Sequence, residues 1–225
     1  MKSKHLLLLM LLALFAPWAA NAQVSIPYTE GFENMSSASD LTAAGWISYQ
    51  SSDGSFLAIE TSESNVHSGS KALNIDSWNA DSSSDYVVVG LPTVNAAINT
   101  LQITFSYKVS TGTVYVGYLT DANDASTFVS LQSFSSSSNY TTKTVELNEA
   151  PASAARIAIK YLHWYRCYVD DITVETPPTC FAPQNLTCTE YTATSATLTW
   201  QRHASGTENA WVLQYSTDNT FATGV

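Results

Sequence analysis

The chain has 225 residues, with nine Lys and Arg against nineteen Asp and Glu, a formal net charge of −10 and a pI near 4.6. Such an acidic balance argues against a nucleic-acid or anionic-membrane partner and suits a soluble export or a divalent cation. Only 12% of residues are charged while Ser and Thr abound, which favours a β-rich extracellular protein over a helical one.

The first residues read as a secretory leader. Lys2 and Lys4 precede an apolar run from Leu6 to Phe15, and a small-residue site, Ala20-Asn21-Ala22, follows. The run is too short to span a bilayer comfortably, and no cysteine follows it as a lipid anchor would need. The expected mature chain starts at Gln23, has no membrane span, and carries seven basic against nineteen acidic residues. Secretion or display at the cell surface is the expected location.

From there turn residues alternate with runs of period two, the signature of half-buried strands. Expected strands are FLAIE (56–60), KALNI (71–75) and YVVVGL (86–91). In LQITFSYKV (101–109), Leu101, Ile103, Phe105, Tyr107 and Val109 share a face; in GTVYVGYL (112–119), Val114, Val116 and Tyr118 do. The gap Ser110-Thr111-Gly112 suggests a hairpin between these two. TFVSL (127–131), TKTVEL (142–147), RIAIKYL (156–162) and CYVDDITV (167–174) complete the series, with DASTFVS and SSSSNY read as loops or turns. No sustained helical period is present. Roughly ten short strands in about 150 residues predict an all-β fold, a jelly-roll sandwich over residues 23–176, large enough for a proper core.

Pro177, Pro178 and Pro183 make 177–183 a linker. Beyond it Leu198 and Trp200 alternate, as do Trp211, Leu213 and Tyr215, so 184–225 reads as the first strands of an immunoglobulin-like sandwich. Such a domain takes roughly 100 residues and seven strands. Further domains are therefore expected beyond Val225. Cys167, Cys180 and Cys188 are an odd set, and a Cys180–Cys188 bridge is one option. Sequons occur at Asn34, Asn139 and Asn185.

Two resemblances follow. The tail PQNLTCTEYTATSATLTW…AWVLQYS resembles the first half of a fibronectin type III domain, with Trp200 and Tyr215 at that family's core positions. The ordered motifs IPYTEGFEN, GW at 45–46, HSGSKALNI at 67–75 and YVDDITVE make residues 26–176 similar to the jelly-roll cleaved adhesin modules of gingipain-type bacterial proteins, and to the related MAM domains. This resemblance implies a non-catalytic, calcium-stabilised module that binds host proteins or glycans, or serves as a spacer. SSDGSFLAI at 52–59 departs from the longer Asp/Gly-rich loop of gingipain modules, which puts a second metal site in doubt.

The resembled folds bring their first and last strands together around calcium. Here that implies Glu33 and Asp170 as ligands, with Asp171 and Glu30 as second choices. Calcium takes six to eight oxygens, so carboxylates mixed with carbonyls suit it. By strict alternation Asp170 shares a face with Tyr168, Ile172 and Val174, where an unpaired carboxylate is costly. The alternatives are that Asp170 pairs with Arg166 or accepts backbone hydrogen bonds, or that Glu33 and Asp170 form an acid/base pair for glycoside hydrolysis.

Asp53–Ser55 and Asp121–Asp124 lack the glycine and distal glutamate of an EF-hand loop and read as solvated turns. No nucleophile motif, P-loop, nucleotide fingerprint or zinc spacing is present, so no catalytic residue is expected. Trp78, Trp164 and Tyr165 lie at loops and are candidate ligand contacts, with packing as the competing reading. Trp46 and Trp200 are expected in cores. The function expected is a secreted binding or adhesion module for glycan or an extracellular protein. The alternative is the targeting region of a larger secreted peptidase or glycoside hydrolase whose catalytic domain lies outside this chain.

Overall fold

A computed structural model describes residues 23–51, 55–77, 85–163, 165–204 and 206–216. Residues 1–22, read from the sequence as a leader, Trp78, Trp164, most of the 53–55 turn and the segment after Ser216 lie outside the described residues. The chain divides into two compact units, Met1–Thr176 and Pro177–Val225. Among the described residues no helix is long and apolar enough to cross a membrane.

In the first unit β1 (Tyr28–Glu30) is followed by a short helix, α1 (Ala38–Ala43). Then come β2 (Ile47–Gln50), β3 (Phe56–Glu60), β4 (Ala72–Asp76), β5 (Tyr86–Gly90), β6 (Gln102–Leu119), β7 (Phe128–Glu146), β8 (Arg156–Leu162) and β9 (Arg166–Glu175). The sequence reading passed over α1 because six residues show little period. Its signal is Ser37-x-x-Asp40, a capping box in which Asp40 accepts from the Ser36 and Ser37 backbone N–H groups at 2.7 and 3.0 Å.

Two strands corrected the reading. Residues 101–109 and 112–119 do not form a hairpin; from Gln102 to Leu119 they lie in the single strand β6. The change of face detected in the sequence is real, but a register irregularity between Val109 and Thr113 produces it, with Gly112 at φ +96°. A Cβ at Gly112 would strike the Leu162 carbonyl and the Tyr161 and His163 side chains, so the bend needs glycine. Residues 135–140 are not a loop either. They belong to β7, which pairs with β6 through both of its halves, and that pairing holds polar serines in an extended edge strand.

The long strands create the sandwich. The first half of β6 pairs with β9, and β9 pairs along its other edge with β4 and β1; β3 joins β4. The second half of β6 pairs with β8, followed by β5 and β2. Thus β6 and β7 pass from one sheet into the other. Ile103, Phe105, Tyr107, Leu73, Val169 and Val174 from the first sheet meet Val87, Val89, Val114, Val116, Ile159 and Tyr161 from the second in one buried core. Trp46 is in this core, as expected, with its ring 5.6 Å from Phe32. The all-β sandwich read from the sequence is the observed fold.

The second unit contains β10 (Gln184–Tyr191) paired antiparallel with β11 (Ala196–Gln201). Trp200, expected in a core, is only partly buried, and its ring meets Trp211 edge-on at 5.9 Å. Leu186, Tyr191, Leu213 and Tyr215 are each more than half exposed. All three cysteines are free thiols, Cys167 buried and Cys180 and Cys188 exposed.

Candidate functional site

Strict alternation fails in β9 at the two aspartates. Between Thr104 and Ser106 of β6 the partner register advances from Thr173 to Asp170, one residue too many, and Asp171 takes φ +48°. This is a bulge, which redirects side chains by one position. Before it, Cys167 and Val169 face the core; after it, Ile172 and Val174 do. Asp170 is fully buried, as expected, but not on the core face. It lies on the outer side of the first sheet with Tyr168 and is covered by the loop that precedes β4.

The carboxylate earns its burial through backbone donors. Asp170 Oδ2 accepts from the His67 and Ser68 N–H groups at 2.9 and 3.2 Å, and Oδ1 accepts from Asp171 N–H at 2.8 Å. Burial pushes its pKa up, and the three N–H donors pull it back down. Arg166 does not pair with Asp170; its Nε donates to buried Asp76 at 2.7 Å. Asp171, half-exposed, holds the same loop from outside. Its Oδ2 lies 2.5 Å from His67 Nδ1, and its Oδ1 accepts from Ser68 Oγ at 2.6 Å. The His67 ring rests against Tyr140 at 4.9 Å, and Tyr140 OH donates to the Asn65 carbonyl at 2.7 Å.

Glu33 holds the far end of this loop. Its Oε1 accepts from Ser70 and Lys71 N–H at 2.8 and 3.0 Å, and its Oε2 from Ser70 Oγ at 2.7 Å. These donors, Ser70 first, set its carboxyl below the ordinary range. Gly69 has φ +63°, and a Cβ there would run into the Glu33 carboxylate. Glu33 and Asp170 are therefore joined through HSGSK, at opposite ends of it.

Glu30 acts nearer home, Oε1 accepting from Phe32 N–H at 2.6 Å and Oε2 from Tyr28 OH at 3.3 Å. The first and last strands do meet, with Thr29 opposite Thr173 and Glu30 opposite Ile172. Glu30 and Asp171 consequently line one small open cleft of about 140 Å3 with Thr29 and Gly31. These groups are all hard oxygen donors, the chemistry a calcium ion takes. Among the described residues no three His, Cys, Asp or Glu side chains form a ready-made metal cluster.

Sequence reasoning missed His67 and Ser68 as partners of the aspartates, and Tyr140 as the ring behind His67. The available signal was HSGS itself, a glycine turn whose N–H groups need acceptors. Asp121 and Asp124 form the expected solvated turn, accepting from Asn123 and Ser126 N–H at 2.8 and 2.9 Å.

Tyr165, the one described member of the aromatic trio, is 37% exposed. It borders a cleft of about 220 Å3 with Asn65, Lys108, Ser138, Arg166 and Tyr168. Lys108 Nζ donates into its wall, to the Ser64 carbonyl and to Asn65 Oδ1. The cleft thus combines two tyrosines with two cations.

No protein-family model matches the chain, and no curated protein matches it. Solved structures do. The K2 cleaved adhesin domain of Lys-gingipain matches at TM-score 0.53 and 18% identity, over 66% of this chain and 99% of that one. The K1 and K3 cleaved adhesin domains of Lys-gingipain from Porphyromonas gingivalis W83 each match at TM-score 0.51 and 16% identity, over 67% of this chain and 98% of theirs. At 16–18% identity, what this chain shares with the cleaved adhesin domains is their β-sandwich fold.

Proposed function

We propose that the chain is an extracellular, non-catalytic binding module, stabilised by calcium, that recognises a glycan or a host or matrix protein. One observation carries the non-catalytic reading. Glu30, Glu33, Asp170 and Asp171 each commit their oxygens to N–H, O–H or imidazole partners within their own unit. A hydrolase needs instead two carboxylates addressing a substrate across a cleft. The cleaved-adhesin fold and the Tyr165 cleft support a binding role.

Calcium fits the oxygen donors of this region. Glu30 and Asp171, which share a cleft, would hold it through lone pairs left over from the hydrogen bonds above, with Glu33 and Asp170 fixing the loop beside them. The ion would tie β1 to β9 and offset the charge of the carboxylates gathered there, of which Glu33 already has Lys71 beside it. For the second unit, the β10–β11 hairpin and the alternation of Leu198 and Trp200 support a fibronectin type III-like reading. The leader sequence supports export.

The test is surface plasmon resonance of the full mature chain against a panel of glycans and matrix proteins, with and without calcium. Saturable binding to a member of the panel is expected, together with a melting temperature that falls on chelation. An unchanged melting temperature removes the calcium part, and a panel without binders removes the module reading.

A further inference from the structure

The outer face of the second sheet carries a feature that the carboxylate loop and the Tyr165 cleft leave unused. The core takes Val87, Val89, Val114, Val116, Ile157 and Ile159, so the residues between them point outward. Register then builds one row across four strands: Tyr49 opposite Val88, Val88 opposite Lys160, Lys160 opposite Tyr115. Tyr86 stands beside the row, its ring 5.9 Å from that of Tyr49. Val88 and Ala158 are fully buried on this face, in a small apolar cluster with Leu119 and Ala125 against which Ile47, Tyr86 and Phe128 pack. Three strand spacings make the row about 14 Å long.

Lys160 is the informative member. Its Nζ lies 3.8 Å from the Tyr86 ring centroid and 5.8 Å from that of Tyr115, bridging the two aromatics. A lysine ordinarily extends its ammonium into water. This one is partly buried, and among the described residues it forms no salt bridge. Burial alone lowers its pKa, with no neighbouring anion acting in the opposite direction. In a chain of net charge −10, a desolvated cation between aromatic rings is a local reversal of charge.

We propose that this face, Tyr49, Tyr86, Lys160 and Tyr115 over Val88, binds an oligosaccharide carrying uronic acid. The proposal rests on the binding-module reading. Sugar rings have an apolar C–H face that stacks on tyrosine and a hydroxyl rim that meets phenol O–H groups. The uronate carboxylate supplies the anion that Lys160 lacks. A row about 14 Å long, bordered on one side by Ala125 and Phe128, suits an extended chain of several sugars rather than a compact ligand.

The test is calorimetric titration of the full mature chain with short oligosaccharides of galacturonan, alginate and hyaluronan, and with their methyl-esterified, uncharged forms. At least one acid form binds about tenfold or more tighter than its ester. Tyr49→Ala and Tyr115→Ala each weaken binding by about tenfold or more without changing the melting temperature by more than a few degrees. Lys160→Gln removes the preference for acid over ester while retaining stacking affinity. Equal affinity for acid and ester, or unchanged affinity in all three variants, overturns the proposal. Binding of a different glycan or a protein that Tyr165→Ala abolishes, with no uronate bound, overturns this platform and leaves the module reading standing. No binding to any ligand overturns both.

Discussion

Replacing Asp170 with alanine should release the HSGSK loop from the first sheet. The side chain is fully buried and accepts three backbone N–H groups, from His67, Ser68 and Asp171 at 2.9, 3.2 and 2.8 Å. Hydrogen bonds to a charged group contribute about 1.5–3 kcal/mol each, and a buried donor left without a partner costs a similar amount. Relief from burying a carboxylate offsets part of this, as its raised pKa indicates. Water reaching the exposed loop offsets more. The net loss should be about 2–4 kcal/mol, or roughly 5–12 °C in melting temperature for a domain of this size. Asp170→Asn keeps one acceptor oxygen but turns an NH2 group towards an N–H, and should lose about half as much. Near-UV circular dichroism gives the melting temperature, and hydrogen exchange reads the His67, Ser68 and Asp171 amides directly. Both should be run in chelator, because the three bonds need no metal. A shift below about 1 °C with unchanged exchange at those amides would refute the reasoning.

Other outcomes follow from the same geometry. Gly112→Ala should destabilise by about 2–4 kcal/mol in denaturant unfolding, since it combines a positive φ with collisions against Leu162, Tyr161 and His163. In chelator, Asp171→Ala, which removes half-exposed hydrogen bonds and puts alanine at φ +48°, should cost about 1–2 kcal/mol, below Asp170→Ala in the same titration. Asp40 and Asp124 are held below the usual carboxylate range, Asp40 first by Ser36 N–H and Asp124 first by the Ser126 hydroxyl. Between the lowered and ordinary values the unfolded chain binds more protons, so their contribution is complete above about pH 4 and disappears as pH falls through the lowered values. Melting temperatures measured from pH 6 to pH 2.5 should show that acid slope, reduced in Asp40→Asn.

How much the sequence disclosed depended on whether a feature is local. Val87 and Val89, or Ile157 and Ile159, declare their face by alternation, and the sandwich follows from many such runs. The face change between Val109 and Val114 was equally legible. Its cause was not, because three residues can make either a turn or a bend, and distant pairing with β7 decides. Asp170 was recognised as buried, yet its face was misassigned because a bulge at Asp171 shifts everything after it by one position. The carboxylate site was half visible. Glu33 and Asp170 carried the chemistry, but their connector, His67 to Lys71, lies about a hundred residues from one and nearly forty from the other. The tyrosine row was invisible for the same reason: Tyr49, Val88, Lys160 and Tyr115 become neighbours only through register.

A binding-and-recovery assay addresses the central claim most directly. The mature chain is immobilised, exposed to a defined mixture of labelled glycans and matrix proteins, washed, and eluted for chromatography. A non-catalytic module should retain a ligand saturably and return it with its size distribution unchanged, however long the incubation. Time-dependent cleavage of the retained ligand, abolished in Glu33→Gln or Asp170→Asn, would contradict the account.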